Sequence, residues 1–178
     1  MLISILEFLL ITFELQAKLI NNFHFASYFF EKIFAMDFRC QCPIASALDI
    51  IGDKWSLLII RDMLFDHKKT FKDFSSSVES IATNILSARL KMLEEVGIIN
   101  KSKMAGNQKS NIYTLTNKGL GLLPVIAEIT LWSDENVREL NPAMVKDDLQ
   151  YVRTNKQAFL EGVRQAYLKN VGSDNGDL

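Results

Sequence analysis

The hydrophobic period of the chain changes at Gly97, and this change restricts the fold more than any other sequence feature. Before it, Leu86, Leu90 and Leu93 are spaced by four and three residues, which predicts a helix over about 82–96. Glycine commonly follows the end of a helix. After it, two short β-branched or aromatic runs, 98–101 and 111–115, flank a turn signal at Gly106-Asn107 and predict a two-stranded hairpin. We therefore predict a mainly α fold with a small β-hairpin.

Two helices are predicted upstream, over about 43–51 and 54–65. A glycine ends the first, and the Asp53 carboxylate is placed to cap the second. Apolar residues at helical spacing mark one face of each helix. They are Ile44, Ala47, Leu48 and Ile51 in the first helix, and Trp55, Leu58, Ile59 and Met63 in the second. Arg61 and Asp62 are expected at the edge of the second apolar face.

A short helix and a turn are predicted before the 82–96 helix. Thr70 is placed to cap a helix that contains Phe71 and Phe74. The serine run 75–77 competes with helical hydrogen bonds and leads into a turn over 78–80. The order is thus helix, helix, short helix, turn, helix and hairpin.

Further helices are predicted after the hairpin. Thr116 caps a helix that runs to about Glu139, and Pro124 is expected to bend it. Residues 141–170 form a C-terminal helical extension, and 171–178 a frayed tail. The apolar residues of the last amphipathic helix are Tyr151, Phe159, Val163 and Tyr167.

The first 35 residues form an apolar N-terminal extension that is rich in phenylalanine: eight of the 12 Phe lie in residues 1–38. Its apolar run is broken by Glu7 and Glu14 and is shorter than the ~20 residues of a membrane span. The first basic residue, Lys18, follows this run, whereas a signal peptide begins with positive charge. We expect no membrane partner. Two interpretations remain: a helical arm that packs on a partner subunit, or a mis-called start upstream of Met36.

Charge is unevenly distributed along the chain. The whole sequence has 20 Lys and Arg against 21 Asp and Glu, a net charge of -1, which argues against nucleic-acid binding. Residues 68–118, however, carry nine basic and four acidic side chains, whereas 1–67 and 119–178 each have a net charge of -3. The basic block coincides with the predicted short helix, long helix and hairpin.

This order of elements is that of a winged helix-turn-helix, which we assign to residues 36–140. In that fold the helix after the turn presents its N-terminal exposed face to the major groove, and the hairpin reaches the DNA backbone or minor groove. Hydroxyl, amide and cationic groups there bond base edges and phosphates of double-stranded DNA. The candidates on the recognition helix are Thr83, Asn84, Ser87, Arg89 and Lys91. The candidates for wing and backbone contacts are Lys72, Lys101, Lys103, Asn107 and Lys109.

Six stretches of sequence carry a resemblance to a known family. They are 42–62, 71–74, 81–94, 97–98, 113–119 and 123–124. They resemble the HxlR-type winged helix-turn-helix transcriptional regulators of bacteria. The resemblance implies a cytoplasmic, homodimeric DNA-binding regulator whose terminal helices form the dimer contact. The chain departs from the family at Ala82, where Ser is frequent, and in the wing at 107–111, where many members carry Pro and Glu; the helix cap is then weaker or falls to Ser80.

Cys42 has two interpretations. It occupies the position before Pro43 at which some members of the family carry a redox or electrophile sensor, acting through a mixed or intersubunit disulfide. The N-terminus of a helix stabilises a thiolate, which gives a physical reason for reactivity. The alternative is a small structural residue. A strained Cys40–Cys42 disulfide is not expected, and two cysteines with remote histidines do not make a zinc site.

Catalytic motifs are missing from the sequence. It contains no P-loop, no dinucleotide glycine fingerprint and no Ser/His/Asp constellation, so we expect neither an enzyme nor a cofactor. Trp55 and Trp132 are expected in the core rather than in an effector pocket, and His67 in a solvated loop. The alternative to a DNA-binding regulator is a helical protein-protein interaction module that keeps the winged fold without binding DNA.

Overall fold

A computed structural model describes residues 38–104, 107–144 and 149–173. The predicted extension 1–35, the residues 105–106 and 145–148, and the last five residues of the tail lie outside the described part of the chain. The described helices are α1 Pro43–Ile51, α2 Ser56–Phe65, α3 Phe71–Ser75, α4 Thr83–Glu95, α5 Asn117–Leu120, α6 Leu123–Asn136, α7 Gln150–Thr154 and α8 Lys156–Ser173. The strands are β1 Ile99–Met104 and β2 Asn107–Leu115.

The core forms around α2 and α4. Leu86, Leu90 and Leu93 of α4 are at most 2% exposed, as their spacing predicts. Buried α2 side chains include Ile60 and Met63, both fully inaccessible. Helix α2 also packs against α6 and α8. The helix-turn-helix is therefore assembled on the central helix of the core.

The hairpin begins directly after α4. Gly97 adopts a φ of 71°, a left-handed conformation that glycine accommodates without a Cβ clash. The antiparallel strands pair from Ile99 opposite Leu115 to Met104 opposite Asn107, with an irregularity between Lys103 and Met104. Both strands extend several residues further towards the turn than the sequence pattern predicts. The wing is therefore longer than expected.

The helix predicted from Thr116 to Glu139 is instead two helices. Thr116 does cap the first, α5, by accepting a hydrogen bond from the Gly119 amide. Pro124 lies at the start of the second, α6, and not within a continuous helix that it bends. Because proline lacks an amide hydrogen, it is best tolerated in the first turn, where that amide has no intrahelical partner.

Two predictions about burial are wrong. Asp62 is only 3% exposed and does not lie at the edge of α2. Trp132 on α6 is 61% exposed and lies outside the core. The apolar face of α1 is largely accessible, with Ile44 at 71% and Leu48 at 52%. None of the described helices is long and apolar enough to cross a membrane.

Candidate nucleic-acid interface

The exposed face of α4 is mainly polar along its N-terminal half, where Ile85 is 36% exposed among the polar side chains. Four of the five predicted recognition residues are exposed: Thr83, Asn84, Ser87 and Lys91. The Lys91 side chain is 76% accessible and lies 3.9 Å from Glu95. The acidic residues of α4, Glu94 and Glu95, are confined to its last turn. The N-terminal half therefore presents hydrogen-bonding groups without a carboxylate that would repel phosphate.

The start of α4 is set by an unusual turn. Ser80 has a φ of 53°, a left-handed conformation that is uncommon for residues other than glycine and that reverses the chain between α3 and α4. Ala82 is the N-cap residue and supplies no side-chain acceptor to the first amides of α4. The Ser80 hydroxyl contacts the Val78 carbonyl at 3.4 Å rather than capping the helix. Of the two predicted alternatives, a weaker cap at Ala82 or a cap from Ser80, the structure has the weaker cap at Ala82.

Helix α3 has a complete N-terminal cap. The Thr70 hydroxyl accepts a hydrogen bond from the Asp73 amide, and the Asp73 carboxylate accepts one from the Thr70 amide at 2.9 Å. Burial opposes ionisation of Asp73, but the hydrogen bonds from Thr70 and Lys69 outweigh it and lower the pKa of this carboxyl. Lys72, the predicted backbone contact, is exposed on α3.

The wing carries exposed lysines, and hydrogen bonds attach it to the chain before α3, to the end of α4 and to α8. Lys101, Lys103 and Lys109 are exposed. Lys101 lies 3.9 Å from Glu94 of α4. Asn107 begins β2. The wing therefore places cations beyond the end of α4.

The first attachment of the wing is to the chain before α3. The Tyr113 amide donates to the Lys69 carbonyl at 2.8 Å, and Thr70 forms a bridge with Ile112. The second is at the base of the hairpin, where the Thr116 hydroxyl donates to the Gly97 carbonyl at 2.7 Å. Because both attachments join the wing to the helix-turn-helix, they hold the wing in a fixed position relative to the helix-turn-helix.

Arg89 differs from the other recognition residues because it is held by an ion pair. Its Nη1 lies 3.3 Å from the Asp53 carboxylate, and the side chain is 35% exposed. Asp53 also accepts the Trp55 and Ser56 amides and the Ser56 hydroxyl. The helix begins at Ser56 rather than at Lys54, so Trp55 and not Asp53 is the N-cap residue, but the Asp53 carboxylate still satisfies amides at the start of α2. Burial alone would raise the pKa of Asp53. These hydrogen bonds and the charge of Arg89 together have the larger effect and lower the pKa below its usual range. Arg89 thus joins α4 to the start of α2.

The buried carboxylate of Asp62, which the sequence did not identify as a structural contact, is hydrogen-bonded to the turn of the helix-turn-helix. Asp62 accepts hydrogen bonds from Lys68 Nζ at 2.8 Å, Ser77 Oγ at 2.6 Å and Arg61 Nε at 3.0 Å. Arg61 also donates to Glu79 at 2.7 Å. Burial opposes ionisation of Asp62, yet its donors lower its pKa. Ser77 lies 15 residues from Asp62 and Glu79 lies 18 residues from Arg61, so no local motif could have identified these contacts.

Cys42 lies at the beginning of α1. It is the N-cap residue and its side chain is exposed. Its carbonyl accepts hydrogen bonds from the Ser46 amide at 2.9 Å and hydroxyl at 3.1 Å. No group of His, Cys, Asp and Glu with the geometry of a metal site occurs among the described residues. The position before Pro43 therefore exposes a thiol at a helix terminus.

The described elements define a winged helix-turn-helix protein: a short helix, a turn, a helix with an exposed polar face, and a hairpin attached to it. A family model described as HxlR-like helix-turn-helix matches residues 50–141. The chain belongs to this family, as its sequence resemblance indicated.

Known proteins similar to this chain are bacterial regulators. The HTH-type transcriptional regulator YodB of Bacillus subtilis (strain 168) is 36% identical over 96 residues, which are 53% of this chain and 85% of YodB. YvaP from the same organism, described as an uncharacterized HTH-type transcriptional regulator, is 30% identical over 53% of this chain and 88% of YvaP. Among solved structures, the redox regulator HypR in its reduced form matches with a TM-score of 0.50 and 29% identity, over 57% of this chain and 99% of HypR.

Proposed function

We propose that this protein is a sequence-specific regulator of transcription that binds double-stranded DNA as a homodimer in the bacterial cytoplasm. The observation that carries the proposal is the exposed N-terminal half of α4, with Thr83, Asn84 and Ser87, together with a lysine-bearing wing that contacts the last turn of the same helix. A helix of this kind fits the major groove, where hydroxyl and amide groups read base edges. The lysines supply the attraction to phosphate.

The roles of the predicted residues divide according to their surroundings. Asn84 and Ser87 are accessible and suited to base edges, whereas Lys103 and Lys109 are suited to phosphates. Arg89 is partly neutralised by Asp53, so it acts on DNA only if it exchanges this partner for a phosphate or a guanine. We therefore assign base recognition first to Asn84.

Substitutions on α4 test this proposal. Asn84→Ala removes one amide from each recognition helix and is expected to weaken binding to DNA from upstream of the protein's own gene by about tenfold or more. Arg89→Ala is also expected to weaken binding. Glu135→Ala is the control, because Glu135 is exposed on α6. Electrophoretic mobility shifts measure the affinities, and equal effects of Asn84→Ala and Glu135→Ala would contradict the assignment.

Exposed apolar residues support a homodimer. Ile44 and Leu48 on α1, and Ile129 and Trp132 on α6, are 45–71% exposed. Grouped apolar side chains on a soluble domain mark interaction surfaces. A dimer interface on these helices would present two copies of α4 to successive half-sites. Sedimentation equilibrium of Trp132→Ala and Leu48→Ala against Val78→Ala tests this: we expect the first two to weaken the dimer, and no change in any variant would contradict it.

Cys42 is the proposed site of a redox or electrophile response. Support comes from its exposed position at the start of α1 and from the similarity to HypR, which is described as a redox regulator. Diamide takes two electrons and two protons from two thiols and leaves a disulfide, either between two subunits or with a small thiol. We expect diamide to change DNA affinity in the native chain and not in Cys42→Ser. Unchanged diamide sensitivity in Cys42→Ser would refute a role for this thiol.

A further inference from the structure

A cavity of about 470 Å³ lies between the end of α2, helix α6 and the helices α7 and α8. Its apolar walls include Phe65, Ile126, Val152 and Phe159. Ile126 and Val152 are each only 8% exposed and belong to the packed body of the domain, whereas Phe65 is 42% exposed. Sites for small molecules have volumes of roughly 300–1,000 Å³, mostly apolar walls and a few polar groups. The cavity has this form.

The polar groups of the cavity are few and nearly balanced in charge. They are Arg61, Asp66 and Thr130. Arg61 is already bonded to Asp62 at 2.5 Å and to Glu79 at 2.7 Å. A negatively charged molecule at Arg61 would thus approach three carboxylates, and burying a charge without a partner is costly. The lining favours an uncharged molecule with one hydrogen-bonding group.

Arg61 connects this cavity to the turn of the helix-turn-helix. Arg61 lines the cavity, and its guanidinium donates to Glu79, which lies in the turn between α3 and α4. Glu79 Oε2 is buried and has no hydrogen-bond partner among the described residues, so the Arg61 contact is the main fixed bond of this carboxylate. A molecule that displaces Arg61 by a small distance would loosen that bond. The start of α4 would then move or become less ordered.

We propose that this cavity binds an uncharged, mainly apolar small molecule with one hydrogen-bonding group, and that Arg61 transmits its binding to the helix-turn-helix. The apolar walls bury the apolar part of the molecule, and Arg61 or Thr130 bonds its polar group. The binding site stands independently of the proposed function. Its effect on DNA affinity rests on that function.

The experiment uses N-phenyl-1-naphthylamine, an uncharged fluorophore whose emission rises in apolar surroundings. Titration into the full chain is expected to give a saturable increase with one site per chain. Ala127→Phe fills the cavity from α6, and Thr130→Trp covers its rim from an exposed position. Both are expected to weaken binding by at least about tenfold. Glu135→Trp places the same ring on α6 away from the cavity and is expected to bind as the native chain does.

Several outcomes would overturn the site. One is the absence of a saturable fluorescence increase from the native chain. Another is an equal fluorescence increase from the native chain, Thr130→Trp and Glu135→Trp when circular dichroism shows that all three are folded. A signal per chain that falls as the protein dimerises would show that a second copy covers the cavity, which also overturns it.

The transmission through Arg61 is tested on the DNA complex. Saturating fluorophore is expected to change the affinity for upstream DNA by about fivefold in the native chain and to leave Thr130→Trp unchanged. Fluorophore binding with unaltered DNA affinity would overturn the role of Arg61. Fluorophore binding by a chain that binds no DNA would retain the site and refute the proposed function instead.

Discussion

Replacing the buried Asp62 by Asn should destabilise the domain strongly. The carboxylate is 3% exposed and accepts hydrogen bonds from Lys68, Ser77 and Arg61. Removing one member of a buried ion pair costs about 3–5 kcal/mol. The side chains of Lys68 and Arg61 are 19% and 34% exposed, so water relieves part of this cost. Asn keeps one acceptor for Ser77, and we expect a loss of about 2–3 kcal/mol at pH 7.

The pH dependence of this loss follows from the lowered pKa of Asp62. A carboxyl whose pKa is lower in the folded than in the unfolded chain stabilises the fold above its unfolded pKa of about 3.9. That stabilisation disappears as the pH falls through the folded pKa. The difference in stability between the native chain and Asp62→Asn should therefore be constant above about pH 4 and shrink as the pH falls below that value. Other carboxylates titrate in both chains and largely cancel in the difference.

Urea denaturation followed by circular dichroism between pH 3 and 8 measures this difference. Asp66→Asn is the matched control, because its carboxylate is 56% exposed and lies 3.6 Å from the same lysine. Exposed ion pairs contribute at most about 1 kcal/mol, so the control should lose little stability. Equal losses in the two variants, or a loss in Asp62→Asn that does not change with pH, would refute the reasoning.

Three further substitutions test the supports of the wing and of the helix-turn-helix. Tyr167→Phe removes the hydroxyl that accepts a hydrogen bond from the Leu115 amide at 2.7 Å. Because that buried amide is then unpaired, the free energy of unfolding measured by urea denaturation should fall by about 1–3 kcal/mol. A loss below about 0.5 kcal/mol, which is the size of an ordinary surface substitution, would contradict this. Gly119→Ala places a Cβ 2.3 Å from the Ile98 carbonyl oxygen, so a substantial drop in melting temperature is expected, and an unchanged value would refute the close approach. Thr70→Ala removes the α3 cap and should cost about 1 kcal/mol in the same denaturation measurement, whereas a neutral result would argue against the capping box.

Much of the fold follows from local sequence signals. The spacing of Leu86, Leu90 and Leu93 predicted both α4 and its buried face, and Thr70 and Thr116 cap the helices assigned to them. The fold class and the family are confirmed. Local patterns succeed here because caps and helical stripes depend on residues within one or two turns of each other.

The errors lie where contacts are distant in sequence. Asp62 is predicted at the edge of the apolar face of α2, since carboxylates are rarely fully buried, but hydrogen bonds from Lys68 and Ser77 make its burial favourable. Trp132 and Leu48 lie on apolar helical faces predicted from the sequence. Such a pattern does not indicate whether the face packs against the same chain or against another chain. The cavity depends on four helices that only tertiary packing brings together, so no local sequence pattern predicts it. The DNA-contacting residues remain predictions.

The salt dependence of binding to DNA from upstream of the protein's own gene tests the central claim most directly. Each phosphate that a protein neutralises contributes about -0.9 to the slope of log affinity against log salt. With Lys72, Lys91, Lys101, Lys103 and Lys109 accessible in each chain, we expect a slope steeper than about -4 together with a clear preference over unrelated DNA. A protein-protein interaction module would instead show no such preference and little binding to DNA at any salt concentration, and that result would contradict the account.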